Sequence, residues 1–73
     1  MAYYVVVLKS HGLKHWHEIA SGPYQTYRDA DASADENNEI MFGGPLGNCY
    51  LAVRMGDRKD GRPWKRGDHI VLN

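Results

Sequence analysis

Tyr3-Tyr4-Val5-Val6-Val7-Leu8-Lys9 reads as a β-strand before anything else in the chain does. Val5, Val6 and Val7 are β-branched, and Tyr3 and Tyr4 favour pleated surfaces. Apolar residues occupy both alternating faces, so the spacing predicts a central strand covered on two sides. Ser10-His11-Gly12-Leu13 follows as a turn, with Gly12 free to take positive φ. Lys14 to Ala20 then alternates strictly, with His15, His17 and Ile19 on one face and Trp16, Glu18 and Ala20 on the other. The two segments together read as a β-hairpin.

Ser21-Gly22-Pro23 is expected to end the second strand, because proline cannot donate to a ladder. Thr26-Tyr27-Arg28-Asp29 fits a helix N-cap with an acid at the third position. Tyr27, Ala30, Ala34 and Met41 fall on one narrow helical face, small enough to lie close on a sheet. Asn37 and Asn38 weaken the helix end, and Gly43-Gly44-Pro45 stops it. Asn48 to Met55 is the third strand, with Cys49, Leu51, Val53 and Met55 sharing a face. Asp60-Gly61 is a turn pair, so Arg62-Pro63-Trp64-Lys65 is expected to return as an edge strand in a second hairpin. Arg66-Gly67-Asp68 is expected to be a bulge or kink before a last strand from Asp68 to Leu72. The expected fold is a single α+β domain over residues 1–73. Its order is β-β-α-β-β, a four-stranded antiparallel sheet with one helix packed on one face. Trp16 or His15 is expected on the helix side, with Tyr27, Ala30, Leu51 and Val5 or Val6 meeting in the core.

The chain has 73 residues, and Leu, Ile, Val and Phe supply 14 of them. That share sits at the border of disorder. A formal net charge of zero, with five Tyr, two Trp and three Met, argues for a folded domain of modest stability. A second domain, a dinucleotide-binding fold and a large substrate cleft are excluded by length. The lone Cys49 excludes an internal disulfide and a Cys-based zinc cage, and reads as a small buried residue. Met1-Ala2-Tyr3-Tyr4 offers neither a basic n-region nor a cleavage site, and no apolar run approaches a membrane span. The expectation is a cytoplasmic protein of a host cell, with no membrane partner.

The neutral total hides a polarity. Residues 28–39 carry net −4, and residues 54–66 carry net +4. Arg54, Arg58, Lys59, Arg62, Lys65 and Arg66 cluster around a projecting turn beside Trp64. Cations with an aromatic neighbour suit phosphate neutralisation and base stacking, and equally suit docking on an acidic protein. Asp31, Asp35 and Glu39, four residues apart on one helix face, form a competing acidic surface. His11, His15 and His17 raise the question of a metal, since zinc accepts three imidazoles, but no carboxylate stands ready to orient them. No nucleophile–base pair, phosphate-cradling loop or spaced acid pair is present, so neither catalysis nor a cofactor is expected. Arg66-Gly67-Asp68 spells an integrin-binding tripeptide, taken as backbone geometry around Gly67.

Ser21-Gly22-Pro23-Tyr24-Gln25-Thr26 with Ala30 and Ala34 is similar to the helix-entry segment of sporulation-related peptidoglycan-binding domains. Those domains place a helix between their first two strands, where this chain has only Ser10 to Leu13. Tyr50-Leu51-Ala52-Val53-Arg54 with Asp60-Gly61-Arg62-Pro63-Trp64 resembles a class of small phage-encoded anti-CRISPR inhibitors. That resemblance covers about fifteen residues and carries over no functional residue. It implies a non-enzymatic inhibitor that docks on a nucleic-acid-handling complex and blocks nucleic-acid binding. Two alternatives stand beside it: a domain that binds nucleic acid directly through the basic segment, and a small metal-binding protein using His11, His15 and His17.

Overall fold

The structure, a computed structural model, describes residues 2–42, 50–56 and 58–72. The order is β1 (Ala2–His11), β2 (Lys14–Tyr24), α1 (Tyr27–Phe42), β3 (Tyr50–Met55) and β4 (His69–Ile70). The strands form one antiparallel four-stranded sheet in the order β3-β1-β2-β4. The α+β class, the single helix and the antiparallel sheet match the reading of the sequence.

The valine-rich strand β1 is central and covered on both faces. Val5 is fully buried against Ala30 and Ala34 of α1. Tyr4 and Val6 point the other way and join Ile19 and Ile70 in a second cluster, against which Trp64, Met55 and Leu72 pack. Alternation along one strand thus builds two small cores.

Gly12 turns β1 into β2 at φ 63°. β2 does not stop at Ser21 but continues to Tyr24. It does so through two register shifts opposite Tyr3 to Val6, the bulged setting in which a strand tolerates Pro23. Thr26 caps α1 as expected: Asp29 N–H donates to Thr26 Oγ1 at 3.1 Å. Among the described residues the buried face of α1 is Ala30, Ala34 and Asn38, one residue every four, and the Met41 side chain expected on it lies outside them. Tyr27 is not part of it. It is half exposed and meets Tyr3 edge-on at 6.0 Å. Trp16 does lie on the α1 side, since it pairs with Lys9 two residues beyond the Val7–Glu18 pair.

Two expectations fail together. β3 and β4 do not form a hairpin; they lie on opposite edges of the sheet. The segment between them crosses the face away from α1 as a strap, carrying Trp64 onto Tyr4 and Val6. The missing surface explains it. With α1 on one face, the apolar side of Tyr4, Val6 and Ile19 needs a cover, and the strap supplies it. Leu51 pairs with Val6 and so faces away from α1, where it stays 45 % exposed instead of entering the core. Cys49, and the loop expected from Gly43 to Pro45, lie outside the described residues.

Candidate docking surface

The basic segment is a folded strap, not a hairpin arm. Arg58 N–H donates to Arg62 C=O at 3.2 Å and Gly61 N–H to Arg58 C=O at 2.8 Å. Gly61 sits at φ 78°, so the expected Asp60-Gly61 turn is present without flanking strands. A second turn closes where Asp68 N–H donates to Lys65 C=O at 3.0 Å. Gly67 occupies its third position at φ 90°, where positive φ favours glycine. From there Gly67 N–H donates to Ile19 C=O and Ile19 N–H to Asp68 C=O, pinning the strap to the outer edge of β2.

The charged side chains divide into those the strap uses and those it leaves free. Arg58 is used. Its guanidinium donates to Asp68 Oδ2 at 3.2 Å, stands 3.6 Å from Asp60, and lies over the Trp64 ring at 5.9 Å. Asp68 Oδ2 also accepts from Lys65 N–H at 2.8 Å. Asp68, the acid of the Arg-Gly-Asp tripeptide, is therefore committed inside the fold. Trp64 is used too: its Nε1–H donates to Gly56 C=O at 2.9 Å, its backbone N–H to Tyr4 Oη at 3.2 Å, and its ring packs on the core. Arg58 and Trp64 were expected among the partner-binding residues. The structure gives both a holding role, because a short strap with no ladder of its own needs side chains to fix it.

The remaining bases do not form one patch. Arg54 pairs with Tyr3 in the register and so lies on the α1 side of the sheet, opposite the strap. Arg66 lines a cleft on the α1 side. Lys59, Arg62 and Lys65 are carried by the strap, exposed, and among the described residues their side chains have no ion-pair or hydrogen-bond partner.

That cleft, about 560 Å³, is bounded by Lys9, Glu18, Ser33, Asn37, Tyr50 and Arg66. No local pattern in the sequence signals it. It arises where α1, lying mainly over β3 and β1, leaves the β2 side of the sheet uncovered. Behind it Tyr24 Oη stands 2.9 Å from Ser21 Oγ and 3.0 Å from Ser33 Oγ, donating to one and accepting from the other. At the β2–β4 edge Trp16 Nε1–H donates to Glu18 at 2.9 Å, and the Trp16 ring stacks on His69 at 5.7 Å.

The other two candidate sites fare differently. Asp31 and Asp35 lie on α1 without an ion pair among the described residues, and the Glu39 side chain falls outside them. His15 and His17 pair with Ser10 and Leu8 on one face, whereas His11 pairs with Lys14 on the alternate face. Among the described residues no three His, Cys, Asp or Glu side chains are gathered for a metal. No helix among those residues is long and apolar enough to cross a membrane. Comparisons with protein-family models, curated proteins and solved structures find no match for this chain.

Proposed function

We propose that the chain is a binding protein without chemistry of its own, docking through the strap on an acidic surface of a nucleic-acid-handling complex and obstructing that complex. The observation that carries the reading is the trio Lys59, Arg62 and Lys65, exposed and unpaired among the described residues, on a strap where Arg58 is engaged by Asp60 and Asp68 and Arg66 lines the cleft. A fixed backbone spares the strap the cost of ordering its chain on docking, and its cations steer encounter with a surface of opposite sign. The resemblance to phage-encoded anti-CRISPR inhibitors supports the choice of target class. Direct nucleic-acid binding uses the same cations. It has less support because the ring best suited to stacking on a base, Trp64, is occupied by the core.

Affinity capture from a nuclease-treated host lysate tests this. The wild-type chain should retain a protein complex, and Lys59→Glu with Arg62→Glu and Lys65→Glu should lose it. Asp31→Lys with Asp35→Lys should keep it. Loss with the helix variant alone would move the surface to α1. A gel shift with a steep log–log salt slope, abolished by the strap variant, would replace the proposal with direct nucleic-acid binding.

A further inference from the structure

β3 is an edge strand, and Asn38 closes only one end of it. Asn38 Nδ2 donates to Tyr50 C=O at 3.1 Å, and Tyr50 N–H donates to Asn38 Oδ1 at 3.0 Å. Tyr50 therefore turns its amide away from β1. Along a strand the direction alternates, so Leu51, Val53 and Met55 face β1 while Ala52 and Arg54 direct their N–H and C=O groups outward. The far side of the sheet agrees. Ile19 also directs its N–H and C=O away from β1, toward the strap, and its partner Val6 is paired with Leu51 on the β3 side. Among the described residues nothing bonds the outward groups of Ala52 and Arg54. Beyond them Gly56 C=O is taken by Trp64. Among the described residues the open edge is two donors and two acceptors long, bounded at both ends.

We infer that this edge pairs with the same edge of a second copy, antiparallel about a two-fold axis through Val53. Ala52 then faces Arg54 of the other copy, and Arg54 faces its Ala52. Four hydrogen bonds result, and all four open groups on each copy are satisfied. No other register does this. Centring on Ala52 calls on the Tyr50 groups already held by Asn38, and centring on Arg54 sets two arginines directly opposite. In the chosen register the arginines are offset by two residues, about 7 Å along the strands. The same register sets Leu51 beside Met55 of the second copy and Val53 beside Val53, on the face away from α1. Leu51, otherwise 45 % exposed, gains an apolar neighbour. The edge is thus self-complementary in hydrogen bonds, charge and apolar contact, as an isologous contact requires. The opposite edge of the sheet, β4, is only two residues long and offers no comparable partner.

Sedimentation equilibrium over a concentration series, with amide hydrogen exchange, tests this. The wild-type chain should approach twice the monomer mass as concentration rises, and protection of the Ala52 and Arg54 amides should rise with it. Arg54→Pro removes an outward N–H without touching the β1 ladder. It deletes two of the four bonds and should weaken association at least about tenfold. If that variant fails to fold by circular dichroism, Leu51→Lys decides instead, because it opposes a charge to Met55 at an already exposed position. A monomer at every concentration up to about 1 mM overturns the inference. So does a dimer whose affinity survives these changes, or one whose Ala52 and Arg54 amides stay unprotected. Loss of strap docking leaves these measurements unaffected, so the two proposals fail separately.

Discussion

Gly22 occupies a place that no other residue fits. Its φ is 124°, and a Cβ there would lie 2.7 Å from Tyr4 Cδ2 and 3.2 Å from both Tyr3 O and Tyr4 Cα. Two of those three atoms are backbone and cannot swing aside. Gly22→Ala should therefore cost about 1–3 kcal/mol through strain and overpacking, read as a fall in the urea midpoint. An unchanged midpoint would mean that β2 rearranges freely at its bulges. Asp68 concentrates a different load, since one carboxylate oxygen receives both Arg58 and the Lys65 amide. Asp68→Ala should cost about 1–3 kcal/mol, whereas Arg62→Ala, with an exposed side chain, should stay within about 0.5 kcal/mol. Equal effects at the two positions would show that the strap is not held at Asp68.

Among the described residues the face that α1 turns to the sheet is built from small residues. Ala30 and Ala34 let it lie flat on Val5, and Asn38 one turn later exchanges two hydrogen bonds with Tyr50. That asparagine ties α1 to the edge of β3. Read from the sequence, it marks the weakening end of a helix, because a polar residue there has no visible partner. Its spacing of four from Ala34 is the signal that places it on the buried face. Asn38→Ala should cost about 1–3 kcal/mol and raise the exchange rate of the Tyr50 amide. If that amide stays protected, the tie between helix and strand lies elsewhere.

The strap makes the molecule a three-layer arrangement: helix, sheet, and a crossing segment without regular structure. Trp64 is its keystone, with ring, indole N–H and backbone N–H all engaged. A chain this small has a net stability of only about 3–5 kcal/mol. Trp64→Ala, at about 3 kcal/mol or more, should leave much of the protein unfolded by near-ultraviolet circular dichroism. A docking anchor on the surface would instead lose binding and keep its fold. The charge reversal of Lys59, Arg62 and Lys65 should do the opposite of Trp64→Ala. It should abolish capture of a partner while moving the thermal midpoint little, since exposed unpaired charges contribute little to stability. A large drop in midpoint would show that those cations also hold the strap.

Local patterns carried the elements. Two tyrosines followed by three consecutive valines, a glycine turn and an alternating partner specify β1 and β2, because strand periodicity and turn chemistry act between near neighbours. Thr26 with Asp29 specifies the start of α1 for the same reason, and Asp60-Gly61 specifies a turn wherever the chain carries it. The placement of the segment after β3 was decided by contacts far apart in sequence. Whether Trp64 returns beside β3 or crosses beneath β1 depends on which apolar face is still bare once α1 has docked. No window around Trp64 contains Tyr4, sixty residues away. The same distance hid the division of the bases, since six cations within thirteen residues look like one patch until the fold puts Arg54 on one side of the sheet, ties Arg58 to Asp68 and turns Arg66 toward the cleft. Charge is written along the chain, but which charges remain free is a property of the packed surface.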